Sequence, residues 1–202
     1  MLIALEGLDQ SGKETQARLL RDHLRGGGRK ARVVSFPDYG TAIGEEIARA
    51  LQGEREYGPD VMQLLYIANR HERRPDLERW LAADIALVCD RYVASSVAYG
   101  AAHGLDAAWL TDMQRFLPAP DLTILLDIAP ETATIRKAVD RDRYEADLAL
   151  QQRVRDSYRQ QAEQQGWVRV DGEQPVPAVA GARGAPRAGR HGGPRGPPPP
   201  AA

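Results

Sequence analysis

The sequence predicts an α/β fold, a three-layer sandwich in which helices cover both faces of a central parallel sheet. Short apolar runs alternate with amphipathic segments, which is the order that parallel sheets produce. Residues 85–89 are continuously apolar, as expected for a strand that is buried on both faces. Residues 2–5 lead into a glycine-rich loop that opens the first helix. Ligands of such sheets bind at the carboxyl ends of the strands.

The first helix follows the glycine-rich loop directly. Ala17, Leu20 and Leu24 form one apolar stripe at helical spacing, and three glycines at residues 26–28 end the helix. Residues 31–36 then form a short β-rich run that a proline ends. A strand, a helix and a second strand within about thirty-five residues are typical of the βαβ unit of a parallel sheet.

The later elements are predicted from equally local signals. Proline and glutamate are favourable in the first turn of a helix, and short apolar runs between charged or proline-rich segments indicate strands. The predicted elements are helices over residues 43–51 and 61–73, strands over residues 85–89, 122–128 and 167–170, and a helix that Pro130 and Glu131 open.

Length and composition predict one folded domain and a tail. The chain has 202 residues, of which 43% are hydrophobic, and this suffices for one well-packed domain. We expect that domain to span residues 1–174. Residues 175–202 are dominated by Pro, Gly, Ala and Arg, so they are predicted to be disordered. Whether this tail is a true extension or the product of an altered reading frame stays open.

Charge and residue usage exclude several classes of function. The last 22 residues hold four arginines and no acid, so residues 1–180 carry a net charge of −5 and offer no general nucleic-acid surface. Cys89 is the only cysteine, which excludes an intrachain disulfide, and we expect it to be buried. The four histidines have no ligand spacing. No run approaches membrane-spanning length and no targeting pattern precedes the first strand, so we expect a cytoplasmic protein without a membrane partner.

The glycine-rich loop has the composition of a phosphate site. Gly7 allows a sharp turn out of the strand, and Gly12 lets the main chain approach phosphate oxygens. Backbone N–H groups and the helix N-terminus converge on an anion there, and Lys13 adds a point charge toward the terminal phosphates. The predicted phosphate-binding residues are Gly7, Leu8, Asp9, Gln10, Ser11, Gly12, Lys13, Glu14 and Thr15.

Position 14 departs from the usual form of this loop. The lysine is normally followed by Ser or Thr, whose hydroxyl holds Mg²⁺, but here Glu14 follows it and Thr15 comes one residue later. The metal could therefore meet Thr15, Glu14 itself, or water held by Asp9 or Asp90. These alternatives stay open.

Several separated motifs together resemble the thymidylate kinase family, a group of P-loop nucleoside-monophosphate kinases. The similarity runs over residues 1–171 and depends on the order and spacing of the motifs. They are Leu5-Glu6-Gly7-Leu8-Asp9 with Gly12-Lys13, Phe36-Pro37, Leu64-Leu65-Tyr66 with Ala68-Asn69-Arg70, Asp90-Arg91-Tyr92 with Ser95, Ala98 and Tyr99, Pro120-Asp121-Leu122, and Asp142-Arg143-Tyr144-Glu145. The resemblance implies a homodimer that phosphorylates dTMP with ATP and Mg²⁺.

The resemblance also implies a dTMP site. Arg70 and Arg91 have planar guanidiniums suited to gripping the acceptor phosphate. Tyr66 stands where an aromatic side chain stacks on the base, although a place in the core fits it as well. Tyr99 is implied to lie near the sugar, where its bulk selects deoxyribose. The implied dTMP-binding residues are Asp9, Phe36, Pro37, Tyr66, Asn69, Arg70, Arg91, Ser95, Ser96 and Tyr99.

Residues 139–147 resemble a mobile lid that closes over ATP, and Arg136 precedes it as a further ATP-binding residue. Gln10 occupies the loop position where part of the family carries a catalytic arginine, so the lid must supply that arginine, from Arg141 or Arg143. The acceptor phosphate is already ionised, so Asp90 is expected to orient its neighbours rather than act as a base. The implied catalytic residues are Lys13, Asp9, Asp90, Arg91, Arg141 and Arg143.

Two other functions remain compatible with the sequence. The loop and lid do not specify the acceptor, so a kinase for another nucleoside monophosphate or for a deoxynucleoside is one alternative. A nucleotide-binding protein that has lost catalysis is the other, because of Glu14 and the unusual tail.

Overall fold

Five parallel strands form one central sheet in the part of the chain that the computed structural model describes, residues 1–136 and 147–177. The strands are β1 (Leu2–Glu6), β2 (Ala31–Ser35), β3 (Ala86–Asp90), β4 (Leu122–Asp127) and β5 (Val168–Asp171). Their order is β2-β3-β1-β4-β5, and every neighbouring pair is parallel. The loops that follow β1, β2 and β3 therefore leave the sheet side by side.

Helices cover both faces of this sheet, which confirms the predicted three-layer sandwich. The described helices are α1 (Lys13–Gly26), α2 (Ala42–Leu51), α3 (Pro59–Ala82), α4 (Val93–Ala102), α5 (Ala107–Asp112), α6 (Pro130–Arg136) and α7 (Leu148–Gln165). Among the described residues, none of these helices is both long and apolar enough to span a membrane.

The two halves of the core follow from the alternation of side chains along the strands. Ile3 and Leu5 of β1 pack with Ala17 of α1 on one face. Leu2 of β1 packs with Leu77 of α3 on the other face. On that second face α4 and α7 cover β4 through a separate cluster. Because both faces of β1 are completely covered, its five residues are all buried, as a central parallel strand requires.

Most predicted elements agree with the observed ones to within one residue at each end. The exception is α3, which was predicted over residues 61–73 but spans residues 59–82, with Pro75 inside it. Leu77 is fully buried, so continuing the helix buries apolar area that ending it would expose. Ion pairs from Arg73 to Asp76 (2.8 Å) and from Arg74 to Glu78 (2.7 Å) span the proline. The helices α4, α5 and α7 were not individually predicted.

Two predicted segments lie wholly or mainly outside the described residues. Of the predicted lid, residues 139–147, only Asp147 is described, and it caps α7 by accepting a hydrogen bond from the backbone N–H of Leu150. Of the predicted tail, residues 175–177 are described, and the carbonyl of Val176 accepts a hydrogen bond from Nε2 of Gln16 at 3.1 Å.

Asp127, at the end of β4, ties α7 and β5 to the sheet. Its carboxylate accepts from Nε of Arg155 at 2.8 Å and from Nη2 of Arg159 at 2.8 Å. It also forms an ion pair with Nε of Arg169 at 2.9 Å. The carboxylate is 5% exposed. Burial opposes its ionisation, but the arginines outweigh burial and lower the pKa of Asp127. This cluster holds the middle of α7 against the ends of β4 and β5.

We expect Asp127→Asn to lower the free energy of unfolding at pH 7 by about 2 kcal/mol, because three guanidiniums lose their shared carboxylate. The pKa of Asp127 is lower in the folded than in the unfolded chain. The stabilisation is therefore complete above the unfolded-state pKa and is lost as the pH falls through the folded-state pKa. Urea unfolding of both proteins should show a difference that shrinks below about pH 4.

Asp112→Asn is the matched control, because Asp112 makes an exposed ion pair with Arg115 and such pairs contribute little. An equal loss in both variants, or a difference for Asp127→Asn that persists unchanged in acid, would contradict the assignment.

Candidate active site

The loop after β1 has the backbone geometry of a phosphate cradle. Gly7 has a φ of +142°, and a side chain there would collide with the carbonyl oxygen of Leu126 in β4. Gly12 has a φ of +87° and immediately precedes α1, whose first backbone N–H groups point back toward the loop. Gln10 also adopts a left-handed conformation, with a φ of +60°. This arrangement directs main-chain donors toward one anion-sized space.

Lys13 lies within this loop and is 6% exposed. Its Nζ donates to the carbonyl of Leu8 at 2.6 Å and to Oγ of Ser11 at 3.4 Å. Burial, assisted by the nearby guanidinium of Arg91, lowers the pKa of Lys13 to about 8. A bound phosphate would offset both effects, so an anion in the loop stabilises the charged form of this lysine.

Arg91 joins the phosphate loop to the helix that follows β3. Its Nη2 donates to Oδ1 of Asp9 at 2.6 Å, and its Nη1 donates to the carbonyl of Gly7 at 3.2 Å. The hydroxyl of Tyr99 donates to the other oxygen of Asp9 at 3.0 Å. Although burial would raise the pKa of Asp9, the charges of Arg91 and Lys13 hold it well below its usual range. Asp9 is therefore a carboxylate at any physiological pH.

A fully buried carboxylate, Glu6, supports this pair from beneath. It accepts from the backbone N–H of Tyr92 at 2.9 Å, from Oγ of Ser95 at 2.7 Å and from the hydroxyl of Tyr158 at 3.2 Å. Burial raises the pKa of Glu6 despite these donors. Glu6 belongs to a motif of the sequence but was given no role there, and Tyr158 was not singled out. An acid that ends an otherwise apolar strand was the available signal for Glu6, whereas Tyr158 looks like any core residue of an amphipathic helix.

A cavity opens beside this network, between the loop after β2, α3 and α4. Nine of the ten residues predicted to bind dTMP line it. They are Asp9, Phe36, Pro37, Tyr66, Arg70, Arg91, Ser95, Ser96 and Tyr99. Asp9, Phe36 and Arg91 follow β1, β2 and β3, so the cavity lies at the carboxyl ends of the strands, where the sequence predicts ligands to bind. Gln63, which the sequence analysis did not single out, lines the same cavity.

Asn69 is the predicted residue that does not line the cavity. It is fully buried, and its side chain holds the loop after β2. Oδ1 accepts from the backbone N–H of Asp38 at 2.7 Å, while Nδ2 donates to the carbonyl of Asp38 at 3.1 Å and to Oγ1 of Thr41 at 2.9 Å. Asn69 thereby positions the loop after β2 and holds the hydroxyl of Thr41, which caps the start of α2.

Arg70 and Arg91 lie in different surroundings within the cavity wall. Arg70 is 2% exposed, and its Nε donates to Oε1 of Gln114 at 3.0 Å while its Nη2 donates to Oγ of Ser96. Burial lowers the pKa of Arg70 to about 10, so it remains charged at neutral pH. Arg91 contacts the phosphate loop instead. The cavity therefore has one guanidinium at its phosphate-loop end and a second, fixed by Ser96 and Gln114, deeper among the helices.

The candidate metal ligands differ in their exposure and in the ion pairs they already form. Glu14 is 65% exposed and pairs with Arg18 one turn along α1 at 2.5 Å. Thr15 is exposed, and Asp90 is partly buried at the end of β3. Among the described residues, no group of three or more His, Cys, Asp or Glu side chains could hold a metal ion. A magnesium site here would therefore draw most of its ligands from phosphates and water, which is the usual coordination of Mg²⁺ at such sites.

Arg136, at the end of α6, contacts the phosphate loop. Its Nη1 donates to the carbonyl of Gln10 at 3.1 Å, and its Nη2 donates to the carbonyl of Gly172 at 2.9 Å. The other two predicted arginines, Arg141 and Arg143, lie outside the described residues.

Comparison with known proteins assigns the chain to a family. The family model described as thymidylate kinase matches residues 5–181. Thymidylate kinase of Schizosaccharomyces pombe is 39% identical over 76% of this chain and 72% of its own length. The human thymidylate kinase is 34% identical over 88% of this chain and 85% of its own length. The solved structure of thymidylate kinase from Candida albicans aligns with a TM-score of 0.70 and 29% identity, over 84% of this chain and 82% of that chain. The chain belongs to the thymidylate kinase family.

Proposed function

We propose that this protein transfers the terminal phosphoryl group of ATP to dTMP, giving ADP and dTDP. The observation that carries the proposal is the position of Arg91. Its guanidinium donates to the carbonyl of Gly7 in the phosphate loop, and the same side chain lines the cavity. A donor phosphate in the loop and an acceptor phosphate in the cavity would therefore meet at one positive group. Membership of the thymidylate kinase family supports the identity of both nucleotides.

The residues at this junction suit a transfer between two anions. Such a reaction needs positive charge on the moving phosphoryl group and fixed alignment, and it needs no strong base because the acceptor is already ionised. We assign Lys13 and the loop N–H groups to the phosphates of ATP and Arg91 to the acceptor phosphate. Asp9 holds Arg91 through its 2.6 Å ion pair, so Asp9 positions the guanidinium that bridges the two substrates.

The cavity suits a nucleoside whose base lies away from the loop. Phe36 and Tyr66 supply aromatic surface for the base, and Tyr99 lies beside Asp9, where it would face the sugar. The sequence analysis assigned Arg70 to the acceptor phosphate. Its contacts with Ser96 and Gln114, rather than with the loop, favour the base as its target instead. Guanidinium N–H groups match a carbonyl oxygen on a pyrimidine.

We assign Mg²⁺ to the phosphates of bound ATP, where it neutralises developing charge. Thr15 and Asp90 are the oxygen donors closest to this role in the chain, through their hydroxyl and carboxylate or through water. Glu14 is turned toward Arg18 and solvent, and we assign it no metal contact. Arg136 lies against the loop and extends its positive surface. The catalytic arginine of the lid is proposed to be Arg141 or Arg143.

We further propose that the protein acts in the cytoplasm as a homodimer. A surface groove between α4, α5 and α7 has small apolar side chains on its α4 and α5 walls and polar side chains on its α7 wall. The apolar ones include Val93, Val97, Ala101 and Ala108. Membership of the family favours a second copy of the chain as the partner that covers this groove. Self-complementary apolar faces are also typical of symmetric dimers.

The first experiment measures ADP release by the purified protein with ATP and Mg²⁺, with and without dTMP. We expect release that depends on dTMP and that is slower with dCMP, AMP or thymidine. Glu14→Thr should change the rate by less than about three-fold, because the Glu14 side chain points to solvent. ATP binding without dTMP-dependent release in either protein would indicate a nucleotide-binding protein that lacks kinase activity.

Lys13→Ala should lower kcat by at least about 100-fold and leave the affinity for dTMP within about two-fold, because the lysine lies in the loop and outside the cavity lining. ADP release gives kcat, and calorimetric titration of dTMP gives the affinity. Lys30→Ala is the matched control, since Lys30 lies at the opposite end of the sheet, before β2. Loss of dTMP binding in Lys13→Ala alone would reassign the lysine to the acceptor.

Light scattering on a sizing column should give twice the 22.2 kDa mass of the chain. Val97→Asp places a charge in the groove of α4 and should yield the single-chain mass, whereas Val61→Asp, on the exposed side of α3, should leave the dimer intact. Dissociation by Val61→Asp alone would place the interface on another face.

A further inference from the structure

The outer edge of β2 is open. Among the described residues β2 is the end strand on one side of the sheet, and β3 is its neighbour. The N–H of Phe36 donates to the carbonyl of Asp90, and backbone groups alternate between the two sides of a strand, so even-numbered residues pair with β3. The N–H and C=O groups of Val33 and Ser35 therefore point to the open side, where another strand could pair with them.

A groove runs along this edge between two helices. Its volume is about 690 Å³, and residues 33–35 of β2 line it. The helix α1 contributes Arg21 and Arg25, and α3 contributes Arg73 and Trp80. Because α1 and α3 cover opposite faces of the sheet, the groove consists of the open sheet edge with one helix on each side.

The groove carries a positive charge. Four arginines and one aspartate line it. Two of these arginines already have acidic partners, since Arg21 pairs with Asp22 at 2.9 Å and Arg73 pairs with Asp38 at 3.0 Å. The remaining two are Arg25 and Arg32, one on each side of the strand.

These two arginines form no ion pair with any carboxylate that the structure describes. Nε of Arg25 donates to the carbonyl of Ala31 at 3.0 Å. The guanidinium carbon of Arg32 lies 4.1 Å from the centre of the Trp80 ring, and the side chain is exposed. Residues 29–30 extend this positive surface beyond the groove. Such a surface is unexpected on a body of net charge −5, so it indicates an anionic partner.

We propose that this groove binds an acidic peptide segment of a partner protein, which pairs with β2 as an added strand. The open N–H and C=O groups of Val33 and Ser35 would bond the peptide main chain, as in other cases of strand addition. Alternate acidic side chains would meet Arg25 on the α1 side and Arg32 on the α3 side, which gives charge complementarity on both faces. The proposal does not depend on the reaction that the enzyme catalyses.

Other occupants match the groove less well. Residues 178–202 of this chain hold four arginines and no acid, so their charge repels the groove. A second copy docked edge to edge would set two basic grooves against each other, and like charges on facing strands are unfavourable. A nucleic acid has no main-chain N–H and C=O groups to pair with a strand edge, and the negative body of the protein repels it.

The test measures fluorescence anisotropy of a fluorescein-labelled heptapeptide, in which Glu alternates with Val, on adding the full-length protein. We expect saturable binding that weakens with added salt, and none for the same peptide with Lys in place of each Glu. A strand directs alternate amides to its neighbour. N-methylation of one alternate set of amides should therefore weaken binding at least about ten-fold, and methylation of the other set less than about two-fold. Equal effects of both sets, or no saturation below about 1 mM protein, would overturn the proposal.

Arg32→Glu should weaken binding of the acidic peptide about ten-fold or more, because it reverses the charge on the α3 side of the groove. Arg115→Glu is the matched control, since it changes the net charge equally but lies outside the groove, in an exposed pair with Asp112. We expect the control to bind within about two-fold of the wild type. Equal weakening by both substitutions would reduce the effect to overall charge and contradict the proposed site.

Hydrogen exchange on the wild type tests the added strand without any variant. The amide protons of Val33 and Ser35 should exchange more slowly when the acidic peptide is bound, because they gain carbonyl partners. An oligonucleotide of about 20 deoxyadenosines should not displace the peptide. Unchanged exchange at both amides would exclude pairing with β2, and displacement by the oligonucleotide would assign the surface to nucleic acid. Either result would overturn the proposal.

Discussion

The ion pair between Arg91 and Asp9 is the interaction on which the rest of the site depends. It joins the loop after β1 to the segment after β3, and those strands are neighbours in the sheet. Arg91 adopts a φ of +64°, a conformation that non-glycine residues rarely hold unless the surroundings fix it. Five hydrogen bonds from its guanidinium, to Gly7, Asp9, Ser95, Tyr99 and Tyr158, supply that constraint. The backbone turn and the guanidinium position therefore determine each other.

Several charged side chains are buried together in the cleft. This burial is tolerated because acidic and basic groups lie next to each other. Glu6, Asp9, Lys13, Arg70 and Arg91 all lie in or beside the floor of the cleft, with acids and bases interleaved. Burial shifts Glu6, Lys13 and Arg70 toward their neutral forms, while the close pair of Asp9 and Arg91 stays ionised. Incoming phosphates would strengthen the charged form of the lysine. The site is thus preorganised for anions, and its electrostatic balance is completed by its substrates.

Structural features that depend on a few consecutive residues were predictable from the sequence. Contacts between residues far apart in the sequence were not. The phosphate loop and the strand ends were predicted because glycine, proline and apolar runs act locally. The continuation of α3 past residue 73 was not predicted, and there burial of Leu77 outweighs the hydrogen bond that Pro75 cannot donate. The support of Glu6 by Tyr158 spans 152 residues, and no local pattern indicates it. Asn69 was predicted from its motif to bind dTMP, whereas its partners on the loop after β2 appear only in the structure.

Glu14, which follows the loop lysine, departs from the usual motif, but phosphate binding by the loop does not depend on that position. Phosphate binding in this loop depends on main-chain donors, on left-handed turns at Gly12 and Gln10, and on the buried Lys13. None of these needs a hydroxyl at position 14. The start of a helix favours a negative side chain, and Glu14 also gains Arg18 as a partner one turn later. The residue therefore stabilises the helix that carries the loop.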